Sequence, residues 1–171
     1  MKKNIRYSIF KTKWGHFGLA AIENDLLRTH LPISNRRSLE RNLLKHYPEA
    51  NFDKNLFNDL QSQIIAYFEG SCVDFDKDID IQLDGFNDFA QKTLTACRNI
   101  SFGRTLSYGQ LAKKAGSPAA ARAIGHIMAK NQTPLIIPCH RIICSDGRLG
   151  GFSAVGGTTI KRKMLQLEGS V

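Results

Sequence analysis

Near Asp84-Gly85 the chain changes chemical character, and any fold it adopts has to accommodate that break. Residues 1–85 carry 12 Lys and Arg against 12 Asp and Glu, whereas 86–171 carry 12 against 3, so the whole formal excess of +9 lies in the second half. Acidic residues crowd 74–84 and then almost vanish, while helical periodicity begins with Phe86, Phe89, Leu94 and Cys97. With 171 residues, 42% of them hydrophobic, the chain can bury one large core or two small ones. The break predicts two domains, 1–84 and 85–171.

The first half predicts a small antiparallel sheet. Ile5, Tyr7, Ile9 and Phe10 read as a strand, with a turn near Trp14-Gly15. A second strand runs from Phe17 to Ile22, and a third continues through Leu26-Leu27 after a turn at Asn24-Asp25. Ser34 is placed to cap a helix ending near His46, with Leu39, Leu43 and Leu44 on one face. Leu56, Leu60, Ile64 and Phe68 predict a second helix stopped by Gly70, and Ile79, Ile81 and Leu83 predict a further strand.

In the second half, 106–115 and 118–130 read as two short helices separated by Gly116-Ser117, with Ser117 as a cap and Pro118 at a first helical position. Helix, tight turn and helix in a basic domain is the helix-turn-helix pattern. The second helix opens Ala119-Ala120-Ala121-Arg122, three small side chains that allow close approach to a groove and one cation that can reach into it. Clustered Lys and Arg favour a polyanion through attraction and counterion release. Alanines that serve only packing, and a basic surface that serves only solubility, explain the same residues.

Cys72, Cys97, Cys139 and Cys144 are too few for a disulfide-stapled secreted scaffold, which predicts reduced thiols in the cytoplasm. The basic start Met1-Lys2-Lys3 leads into an alternating segment instead of a signal-peptide apolar block, and no apolar run approaches the roughly 18–20 residues of a membrane helix. Export and membrane spanning are therefore not expected.

The segment Pro138-Cys139-His140-Arg141 holds the chemistry. A free thiol is mostly protonated at neutral pH, so a nucleophilic cysteine needs a base or positive neighbours; His140 can be that base and Arg141 can add field. Pro138 would present Cys139 at a rigid bend. A buried cysteine that merely packs is the plain alternative. A Cys139/His140/Cys144 metal cluster is disfavoured because zinc takes four ligands at paired spacings and no second Cys/His pair lies near. No metal and no cofactor are expected.

Ser107-Tyr108, the run Ala121-Arg122-Ala123-Ile124-Gly125, Asn131, Ile137-Pro138-Cys139-His140-Arg141, and Lys161 to Glu168-Gly169 follow one another in an order and spacing that resemble the methylated-DNA–protein-cysteine methyltransferases, the O6-alkylguanine-DNA alkyltransferases. The resemblance covers about 86–169. It implies an α+β two-domain fold: a ribonuclease-H-like N-terminal domain that supports a mainly helical, winged helix-turn-helix C-terminal domain. It also implies irreversible, stoichiometric transfer of a methyl or small alkyl group from O6 of guanine, and from O4 of thymine, in double-stranded DNA.

In that family a recognition-helix arginine fills the gap left by a flipped nucleotide in the minor groove, and here it would be Arg122. Cys139 would accept the alkyl group, with His140 as base through a water, Glu168 orienting His140, Tyr108 donating a proton to the guanine and Asn131 bracing the turn before the active-site segment. Thr105, Ser107, Tyr108, Ala120, Ala121 and Arg141 would face DNA, and Ile142, Phe152, Ser153 and Ala154 would line the base pocket. Many family members carry tyrosine where Phe152 stands and a shorter loop before the lysine matching Lys161. Some relatives hold a structural zinc in the N-terminal half, but Cys72 stands alone there beside scattered His16, His30 and His46. A monomer is expected, since a one-base lesion has no two-fold symmetry. The rival readings are an alkyltransferase-like lesion sensor, a transcription factor and a cysteine hydrolase; the sensor class commonly replaces the cysteine that is present here.

Overall fold

A computed structural model describes residues 4–171; the basic start at 1–3 lies outside them. The chain divides into one compact unit ending at Gln82 and a second spanning Leu83–Val171. Among the described residues no helix is long and apolar enough to cross a membrane, and no group of three or more His, Cys, Asp or Glu is placed to hold a metal ion.

The first unit is built on strands β1 (Ile5–Thr12), β2 (Gly15–Ile22) and β3 (Asp25–Ile33), an antiparallel meander in which Ile5 faces Ile22 and Thr12 faces Gly15. Helix α1 (Arg36–His46) follows, then the short strand β4 (Asn51–Phe52) and helix α2 (Asn58–Phe68). β4 joins β1 in parallel, giving the order β3-β2-β1-β4, so the sheet is mixed where an antiparallel one was expected. Both faces are covered. Tyr7, Ile9 and Ala20 pack with Leu39 and Leu43 of α1, while the Phe17 ring meets that of Phe68 of α2 at a tilt, centroids 6.1 Å apart, and Gln61 donates to the Ser8 hydroxyl. That double cover is why β2 reads as an apolar run from Phe17 to Ala21 and not as a strict alternation.

Two local expectations change. Asn35, not Ser34, caps α1, its side chain accepting from the Ser38 amide at 3.0 Å. The acidic segment forms no further strand: Ile81 makes a single bridge to Leu26. Asp74, Asp76, Asp78, Asp80 and Asp84 crowd this stretch, and like charges side by side oppose an extended ladder.

The second unit contains α3 (Asp88–Arg98), β5 (Leu106–Ser107), α4 (Tyr108–Lys114), α5 (Ala121–Ala129), a 3-10 turn (Cys139–Arg141), β6 (Ile142–Ile143) and α6 (Gly157–Leu167). Helices α3, α4 and α5 pack against one another, and α6 packs against the 3-10 turn. Leu106 and Ser107, expected as helix, pair in parallel with Ile142 and Ile143. The helix starts two residues later than expected, at Tyr108, because Ser107 and Gln110 form a reciprocal capping box.

Gly116-Ser117 ends α4 instead of opening α5. With Gly116 left-handed at φ +85°, the Ser117 amide reaches the Ala112 carbonyl and the Gly116 amide that of Lys113, which is a Schellman motif. Pro118 and Ala119 lie in a separate turn closed by the Ala120 amide on the Ser117 carbonyl, so α5 begins at Ala121 with no side-chain cap.

Gly15 fixes the first hairpin. Its φ is +124°, and a Cβ there would stand 2.6 Å from the Ile33 carbonyl oxygen. Gly15→Ala is expected to destabilise the first unit by about 1–3 kcal/mol or more, read as a lower urea midpoint in the fluorescence of Trp14, whose ring lies 5.2 Å from that of Phe68.

Candidate active site

Helix α5 leads into a buried, bent segment, 133–138. Leu135 is left-handed at φ +79°, an unfavourable conformation for a branched residue that survives only where its surroundings enforce it. Asn131 supplies part of that enforcement: its Nδ2 donates to the Ile137 carbonyl at 2.9 Å and its Oδ1 accepts from the Thr133 amide at 3.0 Å. The same Ile137 carbonyl accepts from the Cys139 amide at 2.8 Å across Pro138, whose φ of −79° and ψ of 64° describe an inverse γ-turn. The expected rigid bend ahead of the cysteine is this turn.

The 3-10 turn then places Cys139, His140 and Arg141 in the interior, at 6%, 0% and 3% exposure. Glu168 closes the site from the end of α6. It is the helix C-cap, and Gly169 at φ +68° lets the Ser170 amide bond Leu165 and the Gly169 amide bond Gln166, a second Schellman motif.

Glu168 gathers four donors. His140 Nε2 lies 2.7 Å from Oε1, Arg141 donates Nε to Oε2 at 2.9 Å and Nη2 to Oε1 at 3.0 Å, and the Gly103 amide donates to Oε2 at 3.3 Å. The remaining Arg141 nitrogen donates to the Ile100 carbonyl. Burial alone would raise the carboxyl, but the hydrogen bonds and charges of His140 and Arg141 prevail and hold it at about 2. Burial pushes His140 the other way, below its usual value, against the pull of Glu168. The couple is therefore a carboxylate and a neutral imidazole that donates from Nε2. Its buried Nδ1 has no hydrogen-bond partner in the protein and carries the free lone pair.

Burial raises the Cys139 thiol as well, opposed by a hydrogen bond from Asn131 and by the charge of Lys161. Arg141, expected to add field at the thiol and to face DNA, is turned away from any DNA surface: its guanidinium is buried and bonded to Glu168 and Ile100, and its charge is largely matched by that carboxylate.

The cation beside the thiol is Lys161, fully buried, with Nζ donating to the carbonyls of Ile142, Leu149 and Gly151 at 2.5, 2.6 and 3.3 Å. Its ammonium lies 5.9 Å from the rings of both Tyr108 and Phe152. Lys161 was named in the sequence only as part of a resemblance, yet Lys161, Met164, Leu165 and Glu168 occupy the buried stripe of α6 at helical spacing. Two charged residues on an apolar stripe were the available signal.

The other expected residues fall as follows. Tyr108 is half-buried at the start of α4, its hydroxyl against Gly150, and burial raises its pKa. Arg122 is exposed in the first turn of α5; Ala121 is half-buried and Ala120 belongs to the preceding turn. Thr105 and Ser107 are half-buried, and the Ser107 hydroxyl accepts from the Gln110 amide. Ile142 is buried in β6. Phe152 and Ala154 are half-buried and Ser153 is exposed, on a loop that Lys161 tethers at Leu149 and Gly151.

Glu168→Gln leaves Arg141 buried without its counter-charge, at an expected cost of about 3–5 kcal/mol, seen as lost amide-exchange protection in α6 and around 139–141. The folded carboxyl titrates at about 2, below the unfolded value of about 4.3. The stabilisation from Glu168 is therefore complete above about pH 4.3 and disappears as pH falls through about 2. The gap between wild type and variant narrows over that window.

A family model described as 6-O-methylguanine DNA methyltransferase, DNA binding domain, matches residues 88–170. The methylated-DNA–protein-cysteine methyltransferase of Mycobacterium tuberculosis is 36% identical over 138 residues, covering 81% of this chain and 81% of that protein. Its namesake from Methanosarcina acetivorans is 32% identical over 165 residues, 96% of this chain and 98% of that one. The crystal structure of Mycobacterium tuberculosis OGT in complex with DNA is similar at a TM-score of 0.78 and 32% identity, covering 96% of this chain and 93% of that one. By residues matched, by identity and by fold, the chain belongs to the methylated-DNA–protein-cysteine methyltransferase family.

Proposed function

We propose that this protein repairs alkylated double-stranded DNA by direct reversal, moving a methyl or small alkyl group from O6 of guanine onto the sulfur of Cys139. The observation that carries the mechanism is the buried His140–Glu168 couple, whose unpartnered Nδ1 belongs to the residue next to the cysteine. Repair follows from the family to which the chain belongs; the residue roles below are our assignment.

The alkyl carbon is attacked in line. The thiol proton passes through a water to His140 Nδ1, the S–C bond forms, and the C–O6 bond breaks. Glu168 stabilises the imidazolium as it develops, the orienting role that carboxylates take in triads. Negative charge arriving on the guanine is met by the Tyr108 hydroxyl, which burial keeps protonated. Once His140 has returned its proton, the thiol's hydrogen resides on guanine N1 and the protein carries a thioether. No leaving group remains on the sulfur that water could displace, so each molecule reacts once, and the chemistry draws on no cofactor.

A thiolate cannot reach an alkyl group inside the base stack, so the nucleotide must be extruded at a cost of a few kcal/mol. Arg122, exposed in the first turn of α5 between Ala121 and Ala123, suits the gap that extrusion leaves. In this reading the second unit, Leu83–Val171, is a winged helix-turn-helix with α4 and α5 as its pair and α5 entering the minor groove. The first, ending at Gln82, is a ribonuclease-H-like support. Phe152, Ser153 and Ala154 contribute one wall of the base pocket; a pocket tyrosine hydroxyl is lacking, and backbone amides near Ser153 take over its contact to O6. The protein acts as a monomer. A lesion sensor would not need the thiol, its base and its orienting carboxylate together.

Cys139→Ala is expected to bind a duplex containing one O6-methylguanine but to gain no mass. The wild-type protein gains one methylene, on the order of 14 Da, on the peptide holding Cys139, saturating at one per molecule. Arg122→Ala should slow repair of that duplex by about tenfold or more relative to its reaction with free O6-benzylguanine. Equal losses on both substrates would remove the flipping role.

A further inference from the structure

Arg141, bonded to the orienting carboxylate, has no part in the reaction as written. Its guanidinium spans both oxygens of Glu168, at 2.9 and 3.0 Å, while the imidazole of His140 shares Oε1 with it at 2.7 Å. All three side chains are almost wholly withdrawn from solvent. A buried carboxylate facing only an imidazole would draw a proton onto the ring, since a charged pair is preferred to one unpaired anion in a medium of low dielectric. An imidazolium made in that way at rest has no lone pair to offer a thiol.

We infer that Arg141 is a positioning residue of the transfer reaction: by occupying both oxygens of Glu168 it supplies the carboxylate's counter-charge permanently, and so leaves His140 neutral, with Nδ1 open to the proton of Cys139. The inference rests on the base role proposed above for His140. The charged groups that act on the imidazole are Glu168, the C-cap of α6, Lys161 of α6, and Arg141 of the 3-10 turn. Both cations in this set disfavour the imidazolium, but only Arg141 also bonds the carboxylate that favours it. The Ile100 carbonyl holds the far side of the guanidinium, so its grip on Glu168 does not depend on a flexible side chain finding its place.

The test is the rate constant of methyl transfer from an O6-methylguanine duplex as a function of pH, with the carbon-13 NMR titration of the His140 ring read alongside. It compares wild type, Arg141→Met and Arg141→Lys. Arg141→Met is expected to move the acid limb of the rate profile and the His140 titration together to higher pH by about one unit or more, and Arg141→Lys, which restores the charge, to bring both back. A uniform loss at every pH, with limb and titration where they stand in wild type, would mean that Arg141 only props the fold and would overturn the inference. Should Arg141→Met fail to fold, the paired variant Arg141→Met with Glu168→Gln leaves neither charge unpartnered. Its limb is expected at or below the wild-type position, and a limb above it overturns the inference. If His140→Gln leaves the wild-type rate unchanged, the base role itself fails and this inference falls with it; a His140 titration that does not move in Arg141→Met defeats the inference alone.

Discussion

The second unit depends on one buried carboxylate. Glu168 joins the end of α6 to the 3-10 turn through His140 and Arg141, and to the loop after α3 through the Gly103 amide. Arg141 extends the tie to the Ile100 carbonyl. An isolated anion in that position would cost several kcal/mol of desolvation, and only the full complement of donors makes it tolerable. The carboxylate to which we assign the orienting role is thus also a structural link between the ends of this unit, and its chemistry cannot be altered without loosening the segment that carries Cys139. The two Schellman glycines, Gly116 and Gly169, fix where α4 and α6 stop, and with them where the turn before α5 begins and where Glu168 stands.

The nucleophile is delivered by a backbone that would not choose its own conformation. Leu135 is left-handed, Pro138 is held in an inverse γ-turn, and the Ile137 carbonyl serves two donors at once. Each departs from the regular ladders that satisfy most backbone groups. What stabilises them is one local clamp, Asn131 just after α5, and one long-range tie, β6 pairing with β5 directly after the turn. Strain gathered next to a reactive side chain is affordable where burial and hydrogen bonds leave no easier arrangement.

The three long strands, both helices of the first unit and the reactive tetrapeptide were legible because their signals are local: alternation, helical spacing, glycine stops and an uncommon residue run. Misread positions share a different cause. Leu106-Ser107 became a strand through partners some 36 residues away, Leu106 opposite Ile142 and Ser107 opposite Ile143. Ile81, the only bridge-forming residue in the acidic stretch, met Leu26 and went no further. Arg141 next to a cysteine reads in sequence as a cation for the thiol or for DNA, and nothing local reveals that a carboxylate 27 residues on will claim it. Lys161 could have been found by asking why a lysine occupies the apolar stripe of α6, a question that helical spacing alone can pose.

Burial raises the Cys139 thiol and so keeps it protonated at rest, which suits a protein that reacts once. The thiolate that emerges from a raised pKa is intrinsically more nucleophilic than one from a depressed pKa, and the protonated form resists oxidation in the interval. A protein that reacts once gains from both, because a Cys139 oxidised before it meets a lesion is lost as surely as one that has been used. In the mechanism we propose, the burden moves to the base, which must create the thiolate only with substrate in place. That proposal calls for a neutral imidazole with a committed Nε2–H and a free Nδ1, and His140 Nε2 meets Glu168 Oε1, which Arg141 also bonds. The dry interior raises the thiol, but the same dryness would favour a charged His140–Glu168 pair; in our proposal the Arg141–Glu168 ion pair is what lets a protonated thiol and a neutral imidazole share that interior.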